Sequence, residues 1–146
     1  MKRIVCLILA VLLCVAIVGC KKRDPLDLDT SSMDDISAYS QIRMLGEYPD
    51  LFYGHKIKIR GMLVTDESGD KYYCAINGGS EDKYVYMELA LAEGESFPEL
   101  GSEIVIEGTL DETFTSNLNT VFCGRIIESE ILDVHEAYDS HEGHNH

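Results

Sequence analysis

The residues most able to do chemistry lie at the end of the chain, which runs DVHEAYDSHEGHNH from Asp133. His135, His141, His144 and His146 stand there among Glu136, Asp139 and Glu142. Neutral imidazoles mixed with carboxylates suit zinc, copper or nickel, so residues 135–146 are a candidate site for zinc or a similar divalent metal. The H-x-x-H-x-H spacing is not that of a rigid site, and ordering a flexible end opposes binding; the plain alternative is a solvated tail. A second constellation is aromatic and basic. Tyr72, Tyr73, Tyr84 and Tyr86 fall in two neighbouring segments, and Lys56, Lys58 and Arg60 alternate in a third. Stacking rings beside cations is how single-stranded nucleic acid is held, but 12 basic residues stand against 26 acidic ones, a net charge of −14. Such a field repels phosphate backbones, so nucleic acid is not an expected partner. Oligosaccharide, peptide or protein suits the tyrosine face better.

The acidic stretch TDESGD, with Asp66, Glu67 and Asp70, lacks the spaced oxygen ligands of a calcium loop and reads as a turn. There is no G-x-S-x-G, no H-E-x-x-H and no phosphate-binding glycine loop. His55, next to Gly54, reads as a surface residue at a strand start. The expectation is therefore a protein that is not an enzyme.

Residues 1–20 set the compartment. Lys2 and Arg3 precede an uncharged apolar run from Ile4 to Val18, then Gly19 and Cys20. Charge, apolar length and a small residue before the cut make a secretory signal peptide, and the run is short against the ~20 residues of a bilayer span. Ile17, Val18, Gly19 and Cys20 resemble the lipobox of bacterial lipoproteins. The resemblance implies cleavage before Cys20, a diacylglyceryl group on its sulfur, and a protein anchored to the cell membrane facing away from the cytoplasm. Acyl chains contribute about 0.8 kcal/mol per buried methylene, and two hold far better than one. Lys21, Lys22 and Arg23 follow where anionic head groups lie.

Removing residues 1–19 leaves 127 residues, one domain's worth, with 10 basic against 26 acidic residues. Cys6 and Cys14 leave with the signal and Cys20 is lipidated, so Cys74 and Cys123 remain. In an oxidising compartment they can form a disulfide, worth about 4 kcal/mol in the chain-entropy view for a loop of about 50 residues. They can equally be two separate buried thiols. The sequence leaves both open.

The elements that would position these groups follow from periodicity. Residues 20–32, ending KKRDPLDLDTSS, read as lipidated cysteine and flexible tether. Apolar residues three to four apart from Met33, with Ser31 or Ser32 and then Asp34 and Asp35 at the start, predict a helix over 33–46 stopped by Gly46 and Pro49. Beyond it the period becomes two. GHKIKIRGML (54–63) and GSEIVIEGTL (101–110) share G-x-x-I-x-I-x-G-x-L, each with an internal glycine where a strand can bend or bulge. Strands over 71–77 and 84–91 complete a meander with the first, and a last strand runs from about 121 to 134 with a bulge at Gly124.

A meander of three strands followed by two more, with glycine-bent first and fourth members, resembles the OB-fold, the five-stranded Greek-key barrel, as found in uncharacterised secreted bacterial lipoproteins. The expected architecture over 33–134 is thus mainly β, an OB-fold-like barrel with a leading N-terminal helix, followed by the His-rich tail. One departure is visible: the usual helix between the third and fourth strands has shrunk to AEGESFPEL. The expected function is a membrane-anchored binding or accessory module, with an oligosaccharide or another envelope protein as partner. The alternative is a metal-handling lipoprotein using the tail.

Overall fold

A computed structural model describes residues 27–111 and 121–136. Its elements are β1 (Leu28–Asp29), α1 (Asp35–Glu47), a 3-10 turn (Pro49–Leu51), β2 (Lys56–Thr65), β3 (Tyr72–Asn77), β4 (Tyr84–Leu91), β5 (Glu103–Leu110) and β6 (Phe122–His135). Strands β2, β3 and β4 form an antiparallel meander, β6 adds parallel to β4, β5 adds antiparallel to β6, and β5 returns to β2. The result is a closed five-stranded Greek-key barrel of OB-fold type, with one helix.

Period two decides which side chains fill the barrel. Ile57, Ile59 and Leu63 of β2, Val85, Met87 and Leu89 of β4, and Ile104, Ile106 and Leu110 of β5 are all buried, as the alternation requires. Each fully buried aliphatic side chain contributes roughly 1.5–3 kcal/mol. The core continues into α1, whose Ala38, Ile42 and Leu45 are buried in the same cluster against β6, β3 and β4. The helix thus covers the barrel from the N-terminal side, while residues 92–102, where the usual barrel helix would lie, form none.

The repeated motif has a structural reason at both glycine positions. Gly54 and Gly101, at φ 73° and 86°, turn the chain into β2 and β5 in the left-handed region that disfavours side chains. The internal pair lets strands approach closely. A Cβ on Gly61 would lie 2.5 Å from the Ala75 carbonyl oxygen, and one on Gly108 would lie 2.5 Å from Ile126 and 2.7 Å from the Ile127 carbonyl oxygen. At Met62, next to Gly61, β2 passes from its β5 partner to β3, and the β5–β6 register shifts between Glu107 and Thr109. The predicted irregularity at Gly124 is also present, since Tyr86 pairs with Phe122 but Met87 with Gly124.

Three expectations are corrected. The tether does not extend to residue 32: Leu28 and Asp29 pair in parallel with Ile57 and Lys58, and Thr30 is buried with its N–H donating to the Lys58 carbonyl. The reason is an open edge, because β3 pairs only with residues 62–65 of β2 and leaves 57–58 for another strand. The helix is capped by Asp34, which accepts from the Ser37 N–H at 3.0 Å, while Ser31 donates back to Asp29. Gly46 does not stop the helix; it lies inside it, where a Cβ would press on the Cα of Cys123 at 3.0 Å, and the helix ends at Glu47, capped by Tyr48 before Pro49.

Cys74 and Cys123 are separate buried thiols. Cys74 pairs with Met87 and Met87 with Gly124, so β4 lies between the two cysteines. Two strand spacings make roughly 9–10 Å, beyond the ~7 Å a disulfide spans. Burial pushes both thiols up, Cys123 to about 12, which keeps the reactive thiolate scarce.

Candidate functional site

The outer face of β3, β4 and β6 carries the aromatic residues. In register, Asn77 lies opposite Tyr84, Ala75 opposite Tyr86 and Tyr73 opposite Glu88; Tyr86 in turn lies opposite Phe122 and Glu88 opposite Arg125. Side chains two apart on a strand and those opposite across strands share a face, so Tyr73, Tyr84, Tyr86 and Phe122 gather. Tyr86 stands 6.2 Å from Tyr84 and 5.6 Å from Phe122 between ring centroids, tilted by 32° and 33°. Tyr73 closes the cluster, 5.5 Å from Phe122 and edge-on to Tyr86 at 6.4 Å. Phe122 remains 38% exposed.

Of the four tyrosines grouped from the sequence, Tyr72 does not join. Adjacent strand residues point to opposite faces, and Tyr72 instead stacks on Phe97 at 4.0 Å and 12°, packed against the core. The shortened third connection thus supplies a ring where the usual fold supplies a helix.

Beside the cluster lies a charge network. The Arg125 Nε donates to Asp111 Oδ2 at 2.8 Å and its Nη2 to the same oxygen, while its Nη1 lies 3.6 Å from Glu88, which also pairs with Lys71 at 3.3 Å. The carboxylate side chains are nearly buried, Asp111 at 7% exposure and Glu88 at 12%. Hydrogen bonding to Asp111 raises the Arg125 pKa further, with both carboxylate charges adding to it against burial. Burial and then the Glu88 charge raise the Tyr73 phenol above its usual value, so it stays a neutral donor. At the other end the Asn77 amide donates to the Tyr84 hydroxyl at 3.1 Å. A groove of about 180 Å3 opens there, lined by Tyr84, Asn77, Ala75, Met62, Arg60 and Asp35 among others.

The basic row divides. Arg60 reaches that groove, donating to the Met33 carbonyl at 3.1 Å and pairing with Asp35 at 3.5 Å. Lys56 and Lys58 lie further along β2 and pair with Glu107 at 3.4 Å and Asp29 at 3.8 Å. They line a different hollow, of about 220 Å3, with Asp27, Leu28, Asp29 and Glu107. The structure therefore does not bring all seven grouped residues into one site.

His135 ends β6, opposite Glu103, with Nε2 3.3 Å from Asp133 on the surface. Among the described residues no three His, Cys, Asp or Glu side chains form a metal-holding group. His141, His144, His146 and Cys20 lie outside the described residues. Among those described, no helix is long and apolar enough to cross a membrane.

Sequence reasoning missed Phe122, Glu88, Arg125, Asp111 and Asn77. Phe122 had a local signal, since inward Cys123 leaves its neighbour pointing out, but the Greek-key pairing that places β6 beside β4 is what joins it to the tyrosines. No known protein family and no curated protein sequence matches the chain.

Proposed function

We propose that this chain is a non-catalytic binding module, held by a diacylglyceryl group on Cys20 at the membrane surface outside the cytoplasm, which engages its partner through the outer face of β3, β4 and β6. The anchor reading is supported by Lys2 and Arg3, the apolar run and the Ile17–Cys20 quartet. The binding reading rests on one observation: aromatic side chains from three strands converge on the solvent side of a barrel whose interior is already filled by aliphatic residues. Surface aromatics that cluster rather than scatter mark an interaction site. β3 and β4 are the second and third strands of the barrel, the pair whose face OB-type barrels use to take ligands.

Two experiments test the two halves. Cys20→Ala should move the protein from the membrane fraction to the soluble one; a variant with cleaved signal that still sediments with membranes would remove the anchor. A diazirine side chain placed in turn at positions 84, 122 and 56 should capture envelope material from the first two positions and not from the third. No capture at 84 and 122 would remove the binding face.

A further inference from the structure

We infer that the ligand of this face is a neutral, linear oligosaccharide, an assignment that rests on the binding-face reading above. The shape of the aromatic surface is the first reason. Tyr84, Tyr86 and Phe122 form a row of rings with similar tilts and centroid spacings of 6.2 and 5.6 Å, running from β4 to β6. A strip of this kind offers electron-rich ring faces to successive C–H-bearing faces of pyranose units.

The polar groups are the second reason, because they flank the row at both ends. Glu88, Arg125, Lys71 and Asp111 lie on one side, Asn77 and Arg60 on the other. A sugar hydroxyl both donates and accepts, so carboxylate, guanidinium and amide groups in mixture suit it. Glu88 and Asp111 are held by ion pairs and nearly buried, so their positions are set before a ligand arrives.

Charge supplies the third. Lys71, Glu88, Arg125 and Asp111 bring two positive and two negative charges, which cancel, on a chain of net charge −14. A phosphate or sulfate polymer finds no net attraction here, whereas a neutral chain meets no repulsion. The aromatic and polar halves of the face together select hydroxyl-rich neutral polymers.

The test uses the full chain in a detergent without a sugar head group, titrated with β-1,4-linked hexasaccharides of glucose, N-acetylglucosamine and mannose. The chain has eight tyrosines and no tryptophan, so its intrinsic emission reports tyrosine directly. Saturable binding of at least one of the three is expected, weakened about tenfold by Tyr86→Ala, retained by Tyr86→Phe and unchanged by Lys56→Ala. A sulfated hexasaccharide and oligothymidylate should bind far more weakly. Tyr86→Phe keeps the ring, so the inference is tested even where Tyr86→Ala fails to fold. Tighter binding of oligothymidylate than of every sugar, or no binding of any of the three sugars, would overturn it. If no sugar binds but capture at positions 84 and 122 persists, the ligand class falls and the binding face stands. If both fail, the face falls too.

Discussion

The outer faces of β2 and β4 start from the same alternating pattern and end as different surfaces. On β2 the outward Lys56, Lys58 and Arg60 each find a carboxylate, in Glu107, Asp29 and Asp35. On β4 the outward Tyr84 and Tyr86 meet other rings, and Glu88 meets Arg125 and Lys71. The difference comes from what the topology lays alongside. β5 and the small β1 beside β2 bring Glu107 and Asp29, and the start of α1 brings Asp35; β4 is flanked by β3 and β6, which bring Tyr73 and Phe122. The basic row thus faces outward, as its alternation predicts, and each of its three cations is ion-paired within the fold.

Both faces depend on the same barrel, so the largest effect comes from breaking it. Gly108→Val puts a side chain where Ile126 and the Ile127 carbonyl already stand, and thermal or denaturant unfolding should show a loss of about 3 kcal/mol. A stability within experimental error of the parent would mean that β5 and β6 do not approach as described.

The next change separates the faces. Arg125→Ala removes the cation that Asp111 and Glu88 share beside the aromatic cluster, leaving both carboxylates nearly buried and Glu88 with Lys71. A fully buried pair would lose more, but Arg125 is one-third exposed, so about 2 kcal/mol is expected, read in urea. An unchanged midpoint would place those carboxylates in water and weaken the case for a prearranged polar edge.

Acid acts on the β2 side. Burial opposes the Asp29 carboxylate, but hydrogen bonds from Ser31 and the Lys58 charge outweigh it and lower its pKa from 3.8. The folded state then binds fewer protons than the unfolded state near that value. This contribution is present above pH ~3.8 and lost as pH falls through the lower folded pKa. Because Asp29 is half exposed, the effect should stay under ~1 kcal/mol. In Asp29→Asn this part of the stability–pH curve should flatten; a curve identical to the parent's would detach β1 from the stability of the barrel.

The smallest effect is expected on the basic row of β2. Lys56→Ala removes an exposed pair with Glu107 and should cost under ~0.5 kcal/mol while leaving capture by the aromatic face unchanged. A loss of capture would reverse the ranking of the two faces.

The helix, β2, β4 and β5 were legible from their own periods, from Ile57, Ile59 and Leu63 to Ile104, Ile106 and Leu110, and β3, whose Cys74, Ala75 and Ile76 are all buried, from the turn residues that bound it. β1 was not, since two residues hold no period and their role is set by the edge that β3 leaves open. Nor was the polar edge of the site, because Glu88 meets Arg125 through the parallel pairing of β4 with β6 and Asp111 meets it through the antiparallel pairing of β5 with β6. Tyr72 was separable in principle from Tyr73, as neighbours on a strand must face apart; grouping by residue type overrode that rule.

The most direct measurement is amide chemical-shift mapping of the isotope-labelled chain as the neutral hexasaccharides are added. Progressive shifts at Tyr73, Tyr84, Tyr86, Phe122 and Glu88, with Lys56 and Lys58 unmoved, are the expected result. Shifts centred on Lys56 and Lys58, or none across the barrel, would contradict the assignment of the β3–β4–β6 face as the ligand surface.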